Sequence, residues 1–583
     1  MNDNHTNENY GQIAETLNLS EENTVSKAEG LINNLKSFFK GIRTGFSQKS
    51  ERSVLSALLE SLYIKFLSGK TKATAVFLLS FSIVSLVISY VLNASVGAFI
   101  SDIDTFCAIV LFIISLILFT TNKSFHSLIS NSKILSSLSI SYNEQSIRIS
   151  ANASHSTETV YSTPFFLGII CGIFTVIYPV SVICSFIVSL ICVLFIINRP
   201  ECGMLFIISV LPIINNALLL TFACTTFLSL LYRYLLGKRH INFGISALLM
   251  LISMAYIIIR CASSSGNVFT GRLYLYLAFY VSCFSYINLI RSTAMFRRTF
   301  NVLIRMTRAF TFILVVFYIC NMLLPDTIVD AFLTNLGFDS LIHSLSTASF
   351  VAPFLAMAVP LNFAMLVCGE KGIGTIKNVF YLILLLASML YVSSYPLILI
   401  SILACVSILA FYNKRFIFLI FPAPLVAFGI YKLFSLVPEA YRLSATAEKA
   451  MKIDLVIKAI KAKPIFGAGP EAAYSGGNML LSILLTFGFM GLILLAAVLI
   501  FMTSRSVRFI ISDVMKANTA RFLSIGLLCA QLSFMSVCIF TDIYCDINSV
   551  FMFAAIISAS VTSGKCYEAD YIDQSMVREY RRK

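Results

Sequence analysis

The residues best suited to chemistry crowd into one stretch, 435–477. It holds Arg442, Lys449, Lys452, Lys458, Lys461 and Lys463 against Glu439, Glu448, Asp454 and Glu471. Cations at this density can stabilise an anionic substrate or leaving group. The stretch runs into PIFGAGPEAAYSGGN, from Pro464 to Asn478. Gly467 and Gly469 flank Ala468 and allow tight turns, and N–H groups exposed in such turns can cradle a pyrophosphate. Glu471 and Tyr474 could meet an acceptor hydroxyl, with a solvated carboxylate and a packing ring as the alternatives. Arg260 and Arg272 border another loop on the same side and could add positive charge; the alternative for both is snorkelling at a helix end. Metal chemistry has few ligands to draw on. The chain has 5 His and no HExxH, and none of its 15 Cys forms a CxxC pair.

These residues sit in a chain built for lipid. Of 583 residues, 58% are hydrophobic and 12% charged, with mean hydropathy +0.87. Soluble domains carry roughly twice that charged fraction. The pattern predicts an all-α polytopic membrane bundle of about 14–16 spanning helices with one large extracytoplasmic loop. Two junctions, at Tyr178–Pro179 and Asn215–Asn216, leave open whether the flanking segments are separate spans or one broken helix.

Residues 1–50 read as a polar, disordered cytoplasmic arm and 51–72 as an amphipathic juxtamembrane helix. Transmembrane helices follow over 73–434, then the loop 435–477, further spans over 478–562, and a basic tail over 563–583. Within the loop, ATAEKAMKIDLVIKAIKAKP reads as an amphipathic basic helix stopped by Pro464, able to lie on a leaflet. The net charge of +15 does not point to nucleic acid, because Lys and Arg alternate with acidic loops as the positive-inside bias requires. Both termini are expected in the cytoplasm. The basic loop 435–477 alone defies that bias, and an anionic ligand would compensate for it.

The run from Arg442 through KPIFGAGP, Asn478 and LLSILLTFGFMGLILL resembles the O-antigen ligase and polymerase family of membrane glycosyltransferases. In that family an external loop carries a helix and an hP-hFG-hGP segment, and the next span carries Gly-x-x-Gly, matched by Gly488 and Gly491. The clear match covers about 60 residues at the principal loop and the span after it. The resemblance implies a metal-independent, cofactor-free enzyme of the bacterial plasma membrane in cell-envelope polysaccharide biosynthesis. It would move glycan from an undecaprenyl-pyrophosphate donor to a glycan or glycolipid acceptor, with polysaccharide assembly proteins as further partners. Arg442, Glu471 and Asn478 would then be catalytic. Arg260, Arg272, Lys461, Lys463, Gly467, Gly469 and Tyr474 would bind substrate.

Two positions depart from the family pattern. Gly477-Asn478 stands where His-Asn is usual, and Tyr395 stands where an Arg is usual. The alternatives are a polysaccharide or lipid-linked oligosaccharide transporter or flippase, and a non-catalytic family member. Spans almost free of charge argue against proton coupling.

Overall fold

The computed structural model describes residues 54–96, 102–121, 161–236, 244–263, 273–323, 339–368, 373–392, 394–434, 453–469, 478–512, 520–542 and 546–582, with a few isolated positions between them. Among these residues the protein is all α. In chain order the helices are α1 (Val54–Ser68), α2 (Thr71–Val96), α3 (Asp102–Thr120), α4 (Ser162–Ile173), α5 (Val180–Asn198), α6 (Pro200–Val210), α7 (Asn216–Leu235), α8 (Ile245–Ser263) and α9 (Leu273–Leu289). Then come α10 (Thr293–Leu323), α11 (Asp339–Ser346), α12 (Ala348–Cys368), α13 (Ile373–Val392), α14 (Tyr395–Tyr412) and α15 (Ala423–Phe434). The chain ends with α16 (Ile453–Ala462), α17 (Met479–Ile511), α18 (Ala520–Val537) and α19 (Ile547–Arg582).

Among the described residues, the apolar segments are built from helices. Among the described residues, 9 helices are long and apolar enough to cross a membrane, or 10 if Lys414–Ile420 and α15, bent by 53°, form one broken span. Six shorter apolar helices account for the rest, including α4, α6 and α18. The 11 residues of α6 reach only about 16 Å, half the thickness of a hydrocarbon core. At Pro179 the chain breaks: α4 packs on α2, whereas α5 packs on α1, α3, α6 and α7. These are separate elements. Across Asn215, α6 and α7 fold back on each other, and the Asn215 side chain caps α7 by accepting from Ala217 N at 3.2 Å.

Depth in the bundle does not follow hydrophobicity. The most apolar span, Val180–Asn198, is 17% buried within the protein, whereas Ile547–Cys566, among the least apolar, is 100% buried. Lipid demands an apolar surface; a helix wrapped by other helices needs close packing and paired polar groups. In α19 those pairs are visible: Ser560 Oγ donates to Ser506 Oγ at 3.1 Å and Thr562 Oγ1 to Ser558 O at 2.6 Å. The helix runs for 36 residues, about 54 Å, so the stretch read as a basic tail continues it as helix to Arg582.

Within the stretch 51–72, Val54–Ser68 form α1. Tyr63 and Leu67 are buried, with Tyr63 and Phe66 set edge-on to Phe195 of α5 at 5.2 and 5.9 Å. Asn198 Nδ2 donates to Leu59 O at 3.3 Å. Leu58 and Leu62 remain exposed.

Candidate functional site

The site forms where α17 breaks. Gly488 lies ten residues past Asn478 in the sequence and has φ 67° and ψ −166°, a backbone region essentially reserved for glycine. The break frees N–H and C=O groups that a continuous helix would pair internally. In an apolar setting each must find another partner. The PIFGAG segment supplies them. Phe489 N donates to Pro464 O at 2.9 Å, Met490 N donates to Ile465 O at 3.2 Å, and Ala468 N donates to Leu485 O at 2.7 Å. From α8, Tyr256 Oη donates to Phe487 O at 2.8 Å.

This seating explains the glycines. A Cβ on Gly488 would stand 2.3 Å from Ile465 O, and one on Gly467, with φ 73°, would stand 2.6 Å from Gly488 N. Two backbones touch here with no room for a side chain. The N–H of Gly467 donates to Lys463 O at 3.0 Å. With the Ala468 N–H also engaged, two of the donors expected to cradle an anion are spent inside the protein.

Arg260 closes the arrangement. It lies one turn after Tyr256 on α8, so both side chains leave the same face. Its Nη2 donates to Gly467 O at 3.3 Å and lies 4.0 Å from where a Cβ on Gly469 would stand. Arg260 therefore meets Gly467, 207 residues further along the chain, and the neighbouring Gly469. Beside them, α16 docks on α17 through Ile460, which packs against Leu485 with Ala468 and Leu481. Lys458, Lys461 and Lys463 stay exposed next to the turn.

Behind the break lies a narrow cleft of about 10 Å³, lined by Ser253, Tyr256, Tyr276, Tyr280, Phe487 and Tyr544 among others. Tyr276 stacks on Tyr544 with centroids 3.8 Å apart and meets Phe487 edge-on at 4.7 Å. Its hydroxyl lies 3.3 Å from Ser482 Oγ.

Asn478 has a local task. Its Oδ1 accepts from Leu480 N at 2.9 Å and Leu481 N at 3.4 Å, which makes it the N-cap of α17. Met479 N donates to Cys538 O at 3.2 Å and ties this end of α17 to the end of α18. The next helix is capped by Asp546, whose Oδ2 accepts from Ser549 N at 3.0 Å and Ser549 Oγ at 3.1 Å. Burial pushes the Asp546 carboxyl above the usual carboxylate range, opposed by the hydrogen bonds from Ser549 and Asn548 and by the charge of His343. Tyr395, where the family pattern has an Arg, packs edge-on against Phe428 and Tyr431 at 6.5 and 6.0 Å. Arg442, Arg272, Glu471 and Tyr474 lie outside the described residues.

Sequence reasoning missed three features: the break at Gly488, the Tyr256 hydroxyl that fills it, and the tyrosine cleft. The first had a visible signal, since TFGFMG interrupts an otherwise uniform apolar run. The partners of that break are distant in sequence and left none.

The fold and composition define an all-α, multi-pass membrane protein with a loop segment seated in a broken helix. No family model, curated protein or solved structure matches this chain.

Proposed function

We propose that the protein is a membrane glycosyltransferase of the O-antigen ligase or polymerase type, acting at the extracytoplasmic face on glycan carried by a lipid pyrophosphate. The observation that carries this reading is Arg260 Nη2 held at 3.3 Å from Gly467 O. It sets a guanidinium beside the turn that ends the basic helix, next to the exposed Lys461 and Lys463.

In the proposed reaction an acceptor hydroxyl oxygen attacks the anomeric carbon of the donor sugar. The carbon–oxygen bond to the pyrophosphate breaks, and the lipid pyrophosphate leaves with the bonding pair. The hydroxyl proton passes to a carboxylate or to water; Glu471 is the nearest acidic residue in sequence to the turn. Cations lower the barrier by neutralising charge that grows on the leaving group, and arginine suits phosphate oxygens through its forked donors. With two N–H groups of the turn already engaged, recognition falls to Arg260, Arg442 and the lysines.

The test is glycan analysis in cells. Deletion of the protein should remove long surface chains if it polymerises, or accumulate carrier-linked polymer if it ligates. Arg260→Ala and Arg442→Ala should each lower transfer at least tenfold with unchanged protein abundance, while the Lys substitutions retain part of it. Unchanged surface glycan on deletion rejects the enzyme reading.

A further inference from the structure

The exposed ridge of α10 changes character within two turns. Arg297, Asn301 and Arg305 are exposed along its first half. Phe312, Val316, Ile319 and Leu323 continue the same ridge at 57, 42, 48 and 77% exposure. Steps of three and four residues keep these positions on one helix face. A surface helix that passes from basic to apolar in this way matches the boundary between headgroups and acyl chains.

Arg308 stands at the changeover and is half-buried. Its Nε donates to Asn362 Oδ1 of α12 at 3.3 Å, and its Nη2 donates to Asn378 Oδ1 of α13 at 2.6 Å. The guanidinium carbon lies 5.0 Å from the Tyr381 ring centroid. Both amides are themselves anchored, Asn362 Nδ2 to Ala358 O at 2.9 Å and Asn378 Nδ2 to Met365 O at 3.2 Å. Three helices thus hold this side chain in one orientation. Its acceptors are neutral, and they engage two of the five N–H donors that a guanidinium carries. Lys377, the residue before Asn378 on α13, is exposed.

A cation at the edge of a low-dielectric medium, held by neutral amides, is incompletely compensated. A phosphate oxygen would complete it, and the apolar continuation of the ridge says what carries that phosphate. We propose that Arg308, with Arg305 and Lys377, forms a binding site for the phosphate of an anionic phospholipid, whose acyl chains run along Phe312 and Val316. The site belongs to the lipid boundary of α10 and α13 and does not depend on the glycan reading.

The test uses the full-length protein in detergent, with unfolding followed by a thiol-reactive dye. Phosphatidylglycerol should raise the wild-type midpoint, while phosphatidylcholine and inorganic phosphate at equal concentration should not. Arg308→Gln should lose that upward shift, and Arg508→Gln, an exposed cation on α17, should keep it. Equal shifts in Arg308→Gln and wild type, no shift with phosphatidylglycerol, or the same shift with free phosphate would each overturn the assignment. If Arg308→Gln does not fold, the double substitution Arg305→Gln with Lys377→Gln at exposed positions is read instead. It should at least halve the shift, and an undiminished shift counts against the site.

Discussion

Replacing Gly488 by alanine tests the seating of the loop segment directly. The new Cβ would lie 2.3 Å from Ile465 O and 2.5 Å from Gly467 N, so backbone rather than a flexible side chain must yield. Alanine at φ 67°, ψ −166° is strained by about 1–3 kcal/mol. If the segment withdraws to relieve the clash, the bonds from Phe489, Met490 and Ala468 go with it, each worth roughly 0.5–1.5 kcal/mol net. The combined loss is about 2.5–7.5 kcal/mol, a large share of the about 5–15 kcal/mol that separates folded from unfolded proteins.

The chain has no Trp, so intrinsic fluorescence is a poor probe. Buried thiols such as Cys283, Cys529 and Cys538 make a dye that reacts with newly exposed cysteine the better one. Gly429→Ala is the control: nothing lies within 4 Å of a Cβ there, and helix propensity favours alanine by about 0.5–1 kcal/mol. Gly488→Ala should unfold far below wild type and Gly429→Ala at or slightly above it. Matching midpoints for the two variants would refute the account of the break.

Asn478→Ala should cost about 0.5–2 kcal/mol through loss of the α17 cap, whereas Asn478→Asp keeps the acceptor and should unfold like wild type. Removing the Tyr256 hydroxyl in Tyr256→Phe leaves Phe487 O without that donor and should cost roughly 1–3 kcal/mol, measured by the same dye assay. Asp546 precedes its span, and burial raises its folded pKa above the ordinary 3.8. Its contribution is therefore complete in acid and is lost as the pH rises through the folded value. Asp546→Asn retains a capping oxygen without the charge, so its midpoint should gain on wild type between pH 4 and pH 8; a gap that moves the other way would contradict the burial argument.

Composition and periodicity determined the class of this protein. A chain of 12% charged residues cannot coat itself against water, and each apolar segment had to become a helix because lipid offers no partner to an open backbone. The stop of α16 before Pro464 was also legible, whereas Asn478, expected from the resemblance to be catalytic, was shown to cap α17 only by its bonds to Leu480 N and Leu481 N. Tertiary structure decided which helix is central. Hydropathy reports what a surface can tolerate, so it ranks Ile547–Cys566 low although that span is wholly enclosed. Only the fold could show that the glycines of PIFGAG and TFGFMG are two halves of one contact, or that Tyr256 reaches Phe487 across 231 residues. Such pairings are made by unpaired backbone groups seeking partners in space, and sequence records the groups without recording where they meet.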